Sequence, residues 1–170
     1  YRRNKPEKSG ALIWQLNDCW PGTSWSMIDY YLLPKASYYY SKKFNAPLLY
    51  TLEHDPGDDL HLWVVNDRLE DCEDILVLEV FHFNGELVYS KEFCINVKGN
   101  TSARIASLTE AEVLQGQPAE QVVVRLKSLN KKVEENYYYL RNHKDLQLPK
   151  ANLQVKVMPE KQEVEIRTDC

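Results

Sequence analysis

The architecture that this sequence predicts is mainly β: an antiparallel β-sandwich of immunoglobulin-like type. Three features carry that expectation. From residue 48 onward about seven short runs rich in Val, Ile, Leu, Tyr and Phe follow one another over about 95 residues, the strand density of such a sandwich. Several of the runs alternate apolar with polar residues, which turns one strand face to a core and the other to water. Asn84-Gly85 lies between two runs, and because both residues tolerate positive φ the pair marks a type I′ hairpin.

The elements follow in chain order. Residues 1–10, YRRNKPEKSG, are polar and positive, and read as the frayed end of a helix and a loop punctuated by Pro6 and Gly10. Residues 11–16, ALIWQL, are apolar on consecutive positions, the pattern of a short strand covered on both faces in a parallel sheet. Pro21-Gly22 forbids regular structure in residues 17–25, NDCWPGTSW, so a loop follows that strand. Pro34 can open a helix at its first turn; residues 35–45, KASYYYSKKFN, read as that helix, and Pro47 closes it.

The seven runs are LLYTLEH (48–54), LHLWVVN (60–66), DILVLEVFHF (74–83), ELVYSKEFCINV (86–97), SARIASL (102–108), QVVVRLKSL (121–129) and ENYYYLR (135–141). In the second, Leu60, Leu62 and Val64 belong to the core face and His61, Trp63 and Val65 to the wetter one. Residues 110–114, EAEVL, suggest one helical turn before the sixth run. Tyr137, Tyr138 and Tyr139 place rings on both faces of the last run. Past Pro149, residues 151–157 and 163–167 predict a hairpin across a Met-Pro-Glu-Lys-Gln turn. A lone hairpin is marginal in water, so it must dock or belong to a further domain.

The chain of 170 residues balances 21 Lys and Arg against 25 Asp and Glu, a net charge of −4. That gives no reason to expect nucleic acid or an anionic membrane as partner. No apolar run approaches the roughly 18 residues that cross a bilayer. Cys19, Cys72, Cys94 and Cys170 are widely and irregularly spaced with no C-x-x-C, so they read as packed or surface thiols without a zinc site. His54, His61, His82 and His143 are dispersed without metal-ligand spacing. The acidic segments 55–59 and 70–74 lack the regular spacing of a calcium loop and read as solvated turns. Asn100-Thr101-Ser102 fits a glycosylation sequon, a pattern that also arises by chance. Neither a metal nor a cofactor is expected.

Of the 19 aromatic residues, 11 fall within the first 50 positions, ahead of the sandwich. Sugars offer apolar C–H faces ringed by hydroxyls, so a site for them needs flat aromatic platforms beside amide and carboxylate groups. Trp14, Gln15, Asn17, Asp18 and Trp20 supply both within seven residues. The same residues also suit core filling by tryptophan and loop capping by Asn17 and Asp18. In a (β/α)8 barrel, the C-terminal end of a strand such as 11–16 faces the active site.

The segment GALIWQLNDCWPGTSWSMIDYY, residues 10–31, resembles the end of the catalytic barrel in β-mannosidases of glycoside hydrolase family 2. The following KASYYYSKKFNAP, residues 35–47, is similar to that family's last barrel helix and its exit into the next domain. Exo-β-glucosaminidases, a sister group, share a similar segment. Beyond Pro47 the likeness is architectural, because these enzymes carry immunoglobulin-like domains after the barrel. The resemblance therefore implies three parts: a strand-loop-helix remnant of a (β/α)8 barrel over residues 1–46, an immunoglobulin-like β-sandwich over 47–146, and over 147–170 a β-hairpin that starts a further domain.

The resemblance further implies a retaining exo-glycosidase acting on terminal β-mannosides of oligosaccharides, with two carboxylates about 5 Å apart. In the family the acid/base Glu follows an Asn on the fourth barrel strand, and the nucleophile is a Glu near the seventh. This chain has no Asn-Glu or Ser-Glu pair, and its Glu residues lie in the leading loop, the sandwich and the tail. Both catalytic residues are thus expected outside the 170 residues, which alone should be inactive and should pack against the rest of a parent barrel. A start on Tyr1 and a stop on Cys170 agree with that expectation. By motif position Trp14 matches the floor of the subsite beside the scissile bond, and the peptide after it is expected to be cis. Asn17 and Asp18 are assigned to substrate hydroxyls or loop order. Trp20 joins the candidate substrate-binding set, although it and Trp25 also suit packing of the barrel rim on the sandwich. A reading from a different class is a carbohydrate-binding β-sandwich without catalysis.

Overall fold

Alternation along each run turns one row of side chains inward, and two such sheets can satisfy each other only face to face. The computed structural model describes residues 1–8 and 10–168. Its seven sandwich strands are β1 (Leu48–Glu53), β2 (Leu60–Asn66), β3 (Cys72–His82), β4 (Leu87–Val97), β5 (Thr101–Leu108), β6 (Val122–Ser128) and β7 (Asn136–Tyr138). They form two antiparallel sheets in the orders β1-β2-β5 and β4-β3-β6-β7. Leu48, Tyr50 and Leu52 of β1 alternate inward with half-buried neighbours, and Val122, Val124 and Leu126 of β6 do the same from the other sheet. Helix α2 (Glu110–Leu114) inserts Val113 and Leu114 into the same core. Thr109 caps it by accepting from the Glu112 N–H at 3.1 Å.

Polar side chains lock this core at three places. Asp74 of β3 is 7% exposed. It accepts from Tyr50 and Ser128 hydroxyls at 2.5 Å each, from Asn130 at 2.8 Å and from the Ile75 N–H at 2.8 Å. Burial opposes its ionisation, but these donors outweigh burial and hold the carboxyl below its ordinary range. Asn66, fully buried, donates to Glu70 O at 2.9 Å and Lys98 O at 3.2 Å, tying the β2–β3 loop to the β4–β5 loop. Gly99 sits at that junction because a Cβ there would lie 2.0 Å from Leu69 O. Glu110, at the start of α2, accepts from both Arg141 guanidinium nitrogens (2.6 and 3.0 Å) and from the Gly57 N–H, and meets His54 Nε2 at 2.8 Å.

Several sequence expectations meet corrections here. Asp74 belongs to a buried strand, not to a solvated turn, because the donors that would show this come from residues up to 56 positions away. Asn84-Gly85 does close the β3–β4 hairpin, but only Gly85 has positive φ (90°), so the turn is not type I′. Gly85 N–H donates to His82 O at 2.8 Å and His82 N–H to Glu86 O, a three-residue loop with a bulged register at Val80/Phe81. Val65 is fully buried instead of facing water, just past a register shift at Leu62/Trp63.

The predicted strand over residues 11–16 does not form. A buried parallel strand needs strands on both edges, and among the described residues no strand flanks it; Leu12 is fully exposed and Ile13 is half exposed. Residues 1–8 are no frayed end either. A single 3-10 turn, Arg2–Asn4, is clamped to the sandwich. Arg2 is 8% exposed and donates to the carbonyls of Phe44 and Ala46 and to Asp67 at 2.9 Å. The two carbonyls end helix α1 (Ala36–Phe44), where a cation is favoured. Arg3 reaches Leu52 O and Glu53, and Ser102 donates to Arg3 O at 2.6 Å.

The hairpin pairs β8 (Gln154–Met158) with β9 (Glu163–Arg167). Its cross-strand pairs Val155–Ile166 and Val157–Val164 share one face and remain more than half exposed. Cys19, Cys72 and Cys94 are free thiols, and Cys170 lies outside the described residues.

Two measurements follow from the polar locks. Asp74→Ala strands the two buried hydroxyls of Tyr50 and Ser128, so urea unfolding should show a loss of about 3 kcal/mol, whereas Lys98→Ala on the surface should cost less than about 1 kcal/mol. Glu110 has its pKa lowered to about 2, chiefly by the Arg141 hydrogen bonds. Between that value and the ordinary 4.5 the unfolded chain binds more protons, so stability must rise with pH across this window. Glu110→Gln should remove about 3 kcal/mol at neutral pH and flatten the stability profile between about pH 5 and pH 2.

Candidate functional site

The aromatic loop is a folded unit ahead of helix α1. Its backbone doubles back: Met27 N–H donates to Gln15 O and Leu16 O at 3.2 and 3.1 Å, Ile28 N–H to Leu16 O at 2.9 Å, and Asp18 N–H to Ile28 O at 3.1 Å. Asn17 and Ile28 form a parallel bridge. Lys35 N–H donates to Met27 O at 2.8 Å, joining the loop to the residue that precedes α1. Pro21 and Gly22 make the tip, and the Trp14–Gln15 peptide is cis, as the motif resemblance implies.

The four candidate residues separate into two kinds. Trp14 and Trp20 stand out from the loop, 77% and 74% exposed, and Asn17 is exposed with its amide donating to Asp18 O at 3.2 Å. These three present the aromatic faces and amide dipole that a sugar ring needs. Asp18 does not join them: only 8% of it is exposed. The hydroxyl of Ser24 donates to Oδ1, and that of Ser26 to Oδ2 at 2.8 Å. Lys35 Nζ lies 3.1 Å from Oδ2 and 2.8 Å from the Ser26 oxygen. The hydroxyls of Ser24 and then Ser26, backed by the ammonium, hold the Asp18 carboxyl below its ordinary range against the opposing effect of burial. Buried and with both oxygens engaged within the loop, Asp18 contributes to loop order. Trp25 is 71% exposed, so neither it nor Trp20 packs on the sandwich.

Sequence reasoning missed Ser24, Ser26 and Lys35. Lys35 reads as the start of a helix, and no local pattern announces that its ammonium turns back 17 positions to Asp18. Among the described residues no cluster of three or more His, Cys, Asp or Glu could hold a metal ion.

Residues 58–145 match the family model described as the Mannosidase Ig/CBM-like domain. That is about half of the chain, and it spans the sandwich from β2 to β7. The chain belongs to this family. A β-mannosidase B from Thermothelomyces thermophilus is 34% identical to this chain over 117 residues, 58% of it and 14% of the relative. A β-mannosidase B from Aspergillus clavatus is 26% identical over 169 residues, 89% of the chain and 20% of the relative. The chain thus spans a fifth or less of these curated relatives.

Among solved structures, the β-D-mannosidase of Dictyoglomus thermophilum superposes with a TM-score of 0.74 at 31% identity, over 99% of this chain and 21% of that one. An exo-β-D-glucosaminidase matches at a TM-score of 0.66 and 21% identity, covering 91% of this chain and 18% of its own, which shows a shared fold.

The loop geometry makes a spectroscopic prediction. Three of the four tryptophans are exposed, and Trp63 is half-buried with its indole N–H on Glu53 at 2.9 Å. Acrylamide should quench most of the emission of the 170-residue chain, and Trp63→Phe should remove most of the slowly quenched remainder.

Proposed function

We propose that this chain is the part of a retaining exo-β-mannosidase that supplies the sugar-binding floor and braces it with a β-sandwich. On this reading residues 1–46 end the catalytic barrel, residues 47–146 are the bracing immunoglobulin-like domain, and residues 147–170 begin a further domain. Trp14 is the platform under the sugar next to the scissile bond, with Asn17 and Trp20 beside it. The nucleophile and acid/base carboxylates, about 5 Å apart in a retaining enzyme, come from other segments of the polypeptide. The exposed apolar surfaces of Leu12, Ile13 and Leu16 lie against the neighbouring barrel elements.

The observation that carries the reading is the likeness to the Dictyoglomus thermophilum β-D-mannosidase, because it runs through the aromatic loop, the helix and the sandwich together at 31% identity. The loop chemistry supports it: exposed indoles and an amide are grouped on one short segment, held by a scaffold that does not itself use them. A free-standing binding module has no need of the helix and loop ahead of the sandwich. The mannoside is favoured over the glucosaminide because the glucosaminidase likeness is weaker in identity and overlap.

The full-length polypeptide carrying this chain should hydrolyse p-nitrophenyl β-D-mannoside faster than the β-D-glucosaminide, while the 170-residue chain should turn over neither. Trp14→Ala in the full-length protein should lower kcat/KM by about 100-fold or more, because a platform shaped to the transition state is lost. Turnover by the 170-residue chain alone, or an unchanged kcat/KM in Trp14→Ala, would overturn the proposal.

A further inference from the structure

We infer that Asp18 is a positioning residue: with Ser24, Ser26 and Lys35 it forms a clasp that folds the loop back on Gln15 and Leu16 and thereby holds Trp14 as a sugar platform. The inference rests on the reading of Trp14 as a subsite floor, and it names the device that keeps that floor in place.

The geometry runs in a continuous chain. Asp18 gathers Ser24, Ser26 and Lys35 from residues 6, 8 and 17 positions further on. Ser26 is 1% exposed and Met27 9%, so the return limb is buried at the point where the clasp grips it. From there the backbone of Met27 and Ile28 donates to Gln15 and Leu16, the residues that follow Trp14. Lys35 adds a second anchor, since its own N–H donates to Met27 O and helix α1 begins at the next residue.

Among the described residues, little apolar packing does this work around Trp14. Leu12, Ile13 and Leu16 are all more than half exposed, so hydrogen bonds and one ion pair hold the loop. A carboxylate suits the centre of such a clasp because its two oxygens accept from several donors at once. A platform displaced by as little as 1 Å costs about 100-fold in rate, so a residue that never touches sugar can control turnover.

Asp18→Asn tests this without a change of size, and Lys35→Met tests it from the other partner. In the 170-residue chain, amide exchange at Met27 and Ile28 should quicken by about 10-fold or more in either variant, while Val64 and Leu78 in the sandwich keep their protection. In the full-length polypeptide, Asp18→Asn should lower kcat for p-nitrophenyl β-D-mannoside by about 100-fold. The double variant Trp14→Ala/Asp18→Asn should be no slower than Trp14→Ala, because Asp18 acts through Trp14. Unchanged exchange at Met27 and Ile28, or an Asp18→Asn effect that persists in full when Trp14 is absent, overturns the inference. A full-length protein inert toward β-mannosides sinks the proposed function instead, and the exchange data then decide the clasp alone.

Discussion

Contact between the apolar faces of two antiparallel sheets is the interaction on which the rest of this molecule depends. Tyr50, Leu62, Leu78, Val80, Val124 and Leu126 meet there almost without solvent. Each such side chain contributes about 1.5–3 kcal/mol by leaving water, so this layer supplies most of what opposes chain entropy. Three polar side chains at its margins serve to close it. Asp74 joins β3 to Tyr50 of the opposite sheet, Asn66 joins two loops at one end, and Glu110 pins α2 against Arg141. Asp74 and Asn66 are buried, and Glu110 nearly so, with their polar atoms partnered, which is the condition under which a polar group can leave water.

The segment ahead of the sandwich obeys a different economy. It is fixed by capping, ion pairs and backbone hydrogen bonds, and it leaves its large apolar side chains outside. Arg2 ties the first residues to the end of α1 and to Asp67 at the start of the β2–β3 loop. The Asp18 clasp ties the aromatic loop to the start of α1. Helix α1 is thus gripped at both ends by charged side chains and passes directly into β1. That continuity lets the sandwich carry an aromatic loop whose own packing is slight.

Legibility followed the range of the interaction. The β1 to β7 strands could be read because period-two alternation is written in neighbouring residues, and α1 because Pro34 and Pro47 bracket it. Gly85 was readable as a hairpin signal, but the turn type was not, since the register shift at Val80/Phe81 depends on how β4 aligns with β3. The run 11–16 shows the converse failure. Its consecutive apolar residues describe a strand that has neighbours, and its own sequence cannot supply them. Within the site, Trp14, Asn17, Asp18 and Trp20 were evident as residue types, whereas the partners that bury Asp18 were not.

What the sequence alone decided about this protein was therefore the existence and order of its sandwich strands and of α1 and α2, the core-facing rows of most of those strands, and the concentration of tryptophan and amide groups on one loop. Tertiary structure alone decided which polar residues are partners: Asp74 with Tyr50 and Ser128, Arg2 with Asp67, Asp18 with Lys35. The reason is physical. Periodicity and turn chemistry act between residues a few positions apart, whereas a buried charge is stabilised only by donors that folding brings to it from elsewhere in the chain.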